Sequence, residues 1–266
     1  MTRIHPLACI DPAARIAEDT EIGPFCVIGP HVEIGSDCRL IAHVHVEGHT
    51  AIGPRTVVYP HATLGTAPQS INYRGGPTRL LIGADCQIRE GVTMNIGTED
   101  GGGVTRVGDR GFFMVNCHVA HDCQVGNDVV FANSATLAGH CEIGDHVFIG
   151  GLSAVHQHTR IGAHAMIGGV SGIRGDVIPF GMASGEHARM IGINVVGMKR
   201  RKFAQAAIMA VRKAYRRLFF GTESLDERLR VTESDLGDEP AVAQIVSFIR
   251  ARGNRVLSRP GGTPGE

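Results

Sequence analysis

Aliphatic side chains return at every sixth position along most of this chain. The series runs Ile4, Ile10, Ile16, Ile22, Ile28, Ile34, Leu40, Val46, Ile52, Val58 and Leu64, and resumes in register at Ile82, Ile88 and Met94. A second series, displaced by one residue, runs from Val107 through Phe113, Val119, Val125, Phe131 and Leu137 to Ile173. Glycine often follows the aliphatic residue, as at Gly23, Gly29, Gly53, Gly126 and Gly144. A period of six belongs neither to an α-helix nor to an ordinary alternating strand. It suits a short strand and a tight turn repeated around a narrow axis. Three such units close a triangular coil of eighteen residues, and stacked coils pair strand on strand at about 4.8 Å. The pattern predicts a parallel β-helix, with glycine at the turns supplying backbone angles that a Cβ would penalise.

Two stretches break the rhythm. Residues 65–81 and 95–106 are rich in glycine and polar residues and predict loops that leave the coil, the usual carriers of function on a rigid scaffold. After Pro179 the pattern changes. Phe203, Ala207, Val211, Tyr215 and Leu218 fall on one face of a helix over 198–220, with Gly221 as its C-cap. Further helices are predicted over 224–236 and 239–252, the latter with Pro240 in its first turn. The expected division is a β-helix over 1–186, a helical domain over 187–258 that caps its open end, and a disordered tail over 259–266.

Charge narrows the partners little: 26 Lys and Arg balance 26 Asp and Glu, so nothing points to nucleic acid. The N-terminal MTRIHPLACIDP holds no long apolar run, and no later window is apolar enough to span a bilayer. No secretory signal or membrane span is expected, and the cytoplasm is the default location. Six of the seven cysteines (all but Cys9) take the fifth place of the six-residue unit and read as reduced core side chains; no CxxC pair suggests metal or redox chemistry.

The 14 histidines matter more. His43, His61, His146 and His164 are among those at the fourth place, where stacking one coil apart predicts ladders of His43 on His61 and His146 on His164. The segment NCHVAHDC differs, gathering His118, His121 and Asp122 within five residues. A step of eighteen puts Gly139 over His121 and His140 over Asp122, and a second step brings Gln157, flanked by His156 and His158, onto the same edge. An imidazole there can take a proton from a hydroxyl, a carboxylate can orient the ring, and a backbone N–H can hold an oxyanion. No serine or cysteine elbow is present, which favours direct transfer.

The runs HVAHDC (118–123), ATLAGH (135–140), AVHQ (154–157), IGGVSG (167–172) and GMKRR (197–201) resemble the UDP-N-acetylglucosamine O-acyltransferase family over nearly the whole chain. That resemblance implies a left-handed coil, a homotrimer with sites between subunits, and no cofactor. It implies transfer of an (R)-3-hydroxyacyl chain from acyl carrier protein to the 3-position of a UDP-amino sugar, the first step of lipid A synthesis. By position, His121 would be the general base, Asp122 its support and Gly139 the oxyanion donor. His118, His140, His156 and Gln157 would line the site. Asn194, Arg200 and Arg201 would hold nucleotide and phosphates, with Lys199 to Lys202 open to phosphate or the carrier protein. Gly169 and His187 would limit acyl length. The chain departs from the family in its first loop: Gln-Asp-Leu-Lys is replaced by Gln69-Ser70-Ile71-Asn72, and a glutamate near the nucleotide by Val196. Loss of that aspartate opens a second acceptor, the 3-amino analogue of UDP-N-acetylglucosamine. The paralogous N-acyltransferase, a zinc site like that of γ-class carbonic anhydrases, and a non-catalytic scaffold are the rival readings; the zinc site would want two histidines five apart, a spacing absent here.

Overall fold

A computed structural model describes residues 2–261. Its first part is the parallel β-helix that the six-residue period predicts. Three parallel sheets of eleven, nine and eight strands run along it, and the chain visits them in rotation. Most of these strands are two residues long, such as Val130–Phe131, Thr136–Leu137 and Glu142–Ile143. Partners are eighteen residues apart along most of each ladder, as in Glu21↔Arg39 and His118↔Thr136. The aliphatic first position of each unit faces the axis: Ile28, Leu40, Val58, Ile88 and Leu137 are all 0–2% exposed. Burying each such side chain contributes roughly 1.5–3 kcal/mol.

The fifth position is also buried and also works by hydrogen bonding. Thr56 Oγ1 donates to the Gly83 carbonyl (3.1 Å), Cys38 Sγ to Gly53 (3.1 Å) and Cys123 Sγ to Ala138 (3.2 Å). Small donors fit there because the turn carbonyls of the next coil point at them. Burial pushes the Cys86 and Cys117 thiols up to about 11, so they are inert fillers. Cys9, the one outside this slot, is exposed.

Glycine's part differs from the expectation. The left-handed corner residues are mostly not glycine: Asp37 (φ 58°), His43 (52°), Asp122 (60°), His140 (61°) and His164 (62°) all sit at the fourth position. Gly23, at the second, has no such angle; a Cβ there would lie 1.7 Å from the Ile41 carbonyl oxygen of the next coil. Glycine is needed where coils touch, while Asp, Asn and His accept the turn because their short polar side chains tolerate αL geometry.

Both interruptions leave from one corner, between the second and third sheets. Partners are thirty apart across the first (Ile52↔Ile82) and twenty-five across the second (Ile82↔Val107). Strands Thr63–Thr66 and Arg79–Ile82 bound loop 1 at 67–78; Thr93–Asn95 and Val104–Val107 bound loop 2 at 96–103. The loops are therefore shorter than the broken rhythm suggested, because strand pairing recovers residues lacking the aliphatic mark.

The coil closes with an antiparallel hairpin, Gly181–Ser184 with Arg189–Ile193. The boundary expected after residue 186 falls in its turn. Four helices follow: α1 (Val195–Arg200), α2 (Gln205–Phe220), α3 (Leu225–Leu236) and α4 (Pro240–Arg250). The helix expected over 198–220 is thus two, broken around the left-handed Lys202 (φ 61°). Phe203 lies in the break, its ring edge-on to His164 and Phe180 at 5.2 and 5.5 Å. Gly221 follows α2 in an extended conformation (φ −78°, ψ 158°), so it ends the helix without the left-handed turn. Ser224 caps α3 by accepting from Glu227 N. The helices are bound to the coil by Arg160, buried with Asp176 at 2.7 Å and donating to the Phe248 carbonyl of α4. The first residues of the expected tail meet the hairpin: Met190 N donates to Arg259 O at 3.0 Å and Pro260 bridges to Met190. Residues 262–266 lie outside the described part. No helix among the described residues is long and apolar enough to cross a membrane.

Candidate active site

The corner between the second and third sheets carries His121, Asp122, Gly139, His140, His156 and Gln157 in successive coils, as the eighteen-residue step requires. Backbone bonds lock the stack: His140 N donates to His121 O (3.0 Å) and His158 N to Gly139 O (3.1 Å). His121 Nδ1 and Asp122 Oδ2 are 2.8 Å apart. The Asp122 side chain is 0% exposed and that of His121 16%, so the charge is sealed while the ring keeps a path outward. Asp122 also accepts from Thr98, at Oδ1 from the backbone N–H (3.0 Å) and at Oδ2 from the hydroxyl (2.6 Å); its own N–H donates to Thr105 Oγ1 (2.8 Å). With Nδ1 turned to the Asp122 carboxylate, Nε2 is the nitrogen of His121 left to accept a proton.

Gly139 packs directly on that ring. A Cβ there would stand 2.5 Å from His121 Cε1, which only glycine avoids. Among the described residues its N–H donates to no protein acceptor. His140 sits edge-on to His121 (5.0 Å, 87°) and stacks on His158 (4.5 Å, 11°); the predicted ladders of His43 on His61 and His146 on His164 are also present. Burial pushes His140 down, partly opposed by Asp122. His118 projects from the second sheet with Nδ1 2.7 Å from Thr93 Oγ1; burial, then His121, pushes it down. Both rings thus favour the neutral form near pH 7. His156 and Gln157 are exposed one coil beyond, His156 Nδ1 within 3.1 Å of Gln157 O.

His121, Asp122 and His140 also hold ligand atoms within 4.8 Å of one another, a set that could take a cation. Its chemistry is that of an occupied hydrogen-bond network instead: both Asp122 oxygens accept from Thr98, and one of them from His121.

The remaining predicted residues divide. Gln69, Ser70 and Asn72 are on loop 1, which leaves from this same corner; Gln69 and Asn72 are exposed, and Ser70 Oγ accepts from Asn72 N at 3.4 Å within its own turn. Gly169 is exposed at the corner between the first and second sheets, and His187 in the hairpin turn. Asn194, Arg200 and Arg201 gather at the third corner of the same chain. Asn194 is buried there as a cap, accepting from Gly197 N (2.9 Å) and donating to His164 O (2.9 Å); Arg201 donates to His146 O (3.0 Å). Arg200 is exposed. One chain therefore does not bring these three to His121. Sequence reasoning missed Thr98, Thr105 and Thr93. The only signal for the first was that Met94 and Val119 share a sheet, which puts loop 2 at the His121 corner.

Comparisons with known proteins agree with the fold. Residues 13–48 match the bacterial transferase hexapeptide family (six repeats), and 176–257 match domain 2 of UDP-N-acetylglucosamine O-acyltransferase. The acyl-[acyl-carrier-protein]--UDP-N-acetylglucosamine O-acyltransferase of Azorhizobium caulinodans is 55% identical over 260 residues, 96% of each chain. That of Thermodesulfovibrio yellowstonii is 47% identical, covering 94% of this chain and 97% of its own. Among solved structures, the UDP-N-acetylglucosamine O-acyltransferase of Moraxella catarrhalis superposes with a TM-score of 0.93 at 40% identity, over 96% of this chain and 99% of that one. With fold and near full-length identity in agreement, this chain belongs to the UDP-N-acetylglucosamine O-acyltransferase family.

Proposed function

We propose that the chain transfers a 3-hydroxyacyl group from acyl carrier protein to the 3-hydroxyl of UDP-N-acetylglucosamine in the cytoplasm, with His121 as general base. The observation that carries this reading is His121 bound to a sealed carboxylate and packed against Gly139, whose N–H has no protein acceptor among the described residues. Nε2 takes the proton from the sugar hydroxyl as its oxygen attacks the thioester carbonyl. The carbonyl oxygen becomes an oxyanion beside the Gly139 N–H. Collapse breaks the C–S bond, and the leaving thiolate receives the proton back from the imidazolium, giving ester and free carrier thiol. Asp122 keeps the ring in the required tautomer and faces the imidazolium that forms.

The working assembly is a homotrimer. Its support is the separation of Asn194, Arg200 and Arg201 from His121 on one chain: a neighbouring copy joins the two sets around one substrate. Light scattering should give three times the chain mass at micromolar concentration; a monomer would overturn this.

A second acceptor is favoured by one observation. Ser70, where the family carries aspartate, offers only a hydroxyl already engaged in its own turn, and an amine needs less activation than an alcohol. Transfer to UDP-N-acetylglucosamine and to its 3-amino analogue, measured side by side with a series of 3-hydroxyacyl carrier proteins, separates the two. A preference for the amine, weakened by Ser70→Asp, moves the assignment to amide formation. His121→Ala should lower turnover roughly 10²–10⁴-fold with the fold intact; near wild-type turnover removes His121 from its role.

A further inference from the structure

Loop 2 is folded around one carboxylate. A Cβ on Gly101 would stand 2.1 Å from Asp122 Oδ2, and one on Gly97 would stand 2.4 Å from Val104 N and 2.9 Å from Asp122 Oδ1. Neither glycine has a left-handed φ, so room is what each supplies. Between them Thr98 gives both of its donors to Asp122, the N–H to one oxygen and the hydroxyl to the other. The oxygen bound by the hydroxyl is also the one bound to His121. A carboxylate turns easily about its last bond. Held at both oxygens by one residue, it cannot turn, and the imidazole bound to it keeps its direction.

The next residue extends the link. Glu99 Oε1 accepts from Gly76 N (2.7 Å) and Arg74 N (3.2 Å), while Thr78 Oγ1 donates to Gly97 O (2.6 Å). Loop 1, with Gln69, Ser70 and Asn72, is thereby fastened to the segment that holds Asp122.

We propose that Thr98 is a positioning residue of the transfer reaction: it fixes the Asp122 carboxylate, and through it the His121 ring, while Glu99 beside it ties loop 1 to the same frame. This rests on His121 being the base.

The test measures kcat and both KM values for Thr98→Val, Thr98→Ser, Asp122→Asn and the Thr98→Val/Asp122→Asn pair, with His121→Ala alongside. Thr98→Val should lower kcat roughly 10–100-fold, the usual cost of losing an outer-shell partner. Both KM values should stay within about twofold, and Thr98→Ser should recover most of kcat. In the Asp122→Asn background the Val substitution should cost less than about twofold more, because groups acting through one network are not additive. Thr98→Ala, which leaves no new methyl against the carboxylate, carries the same comparison should Thr98→Val melt early. Unchanged kcat, a loss confined to KM, or full additivity with Asp122→Asn overturns the proposal and leaves the His121 assignment standing. An active His121→Ala overturns both.

Discussion

Asp122 and Asp128 occupy the same place in consecutive six-residue units, with φ of 60° and 56°. They turn adjacent corners of one coil, yet their surroundings differ entirely. Asp128 is 31% exposed and takes a two-point contact from Arg110 (2.8 Å twice), whose guanidinium holds its carboxyl below the usual range. That corner, which also carries Asn194 and Arg201, is built on a ladder: the Ala84, Asp109 and Asn127 N–H groups donate to side-chain oxygens of Asp109, Asn127 and Asp145 in the coil above. At the Asp122 corner the cation is replaced by a histidine and a threonine, the side chain is sealed, and among the described residues the Gly139 N–H has no protein acceptor. One backbone slot is thus an exposed ion pair or a sealed carboxylate according to what covers it, and loop 2 is the cover of the second.

The sharpest break in this comparison is Asp122→Asn against Asp128→Asn. The first should lower kcat on the order of 10²-fold, since the ring loses its orienting anion. The second removes an exposed ion pair worth less than about 1 kcal/mol and should leave kcat unchanged. Equal effects would show that the corners are not functionally distinct. Gly169→Met tests the corner between the first and second sheets: a Cβ there meets only the Gly151 backbone, its O at 3.3 Å and its N at 3.8 Å, so the long side chain projects outward. Preference among 3-hydroxyacyl donors should move to a chain shorter by several carbons, and an unchanged length profile would mean that the acyl tail runs elsewhere. Arg200→Glu should raise KM for donor or acceptor by about 3–10-fold at low ionic strength, with the gap from wild type closing as salt screens the charge.

The smallest effect concerns stability at the helical corner. His164 is pressed between His146, Phe180 and Phe203, and burial, aided by His146 and Arg201, pushes it from 6.5 down to about 4. The unfolded chain therefore binds the proton first as pH falls. The neutral ring's contribution is complete above pH 6.5 and is lost as pH drops toward 4. His164→Phe, a residue the same turn accepts at Phe180 (φ 63°), should flatten the fall in melting temperature between pH 7 and pH 5 by roughly 2–4 °C. An unchanged slope would assign the pH dependence to other histidines.

The six-residue period and the eighteen-residue step were enough to stack Gly139 on His121 and His140 on Asp122, because a coil whose axis admits only one aliphatic side chain per strand has a single register. The resemblance supplied roles, and the helical face of α2 was legible at Ala207, Val211 and Leu218, which are buried. The break at 201–204 was not, since Phe203 continues the apolar spacing while packing against His164 of the coil. Nor was the use of Asn194 as a cap. Loop 2 lay furthest from sequence. Nothing in TEDGGG says that Thr98 binds Asp122 or that Gly97 and Gly101 make room for it, because no period governs a loop. The sequence by itself determined the coil, the corner and the residue types on it, since inward spacing is a local property read every six residues. Tertiary structure alone decided which carboxylate is sealed, which N–H is left without a protein acceptor, and that the arginines stand at another corner, because those depend on contacts between segments tens of residues apart.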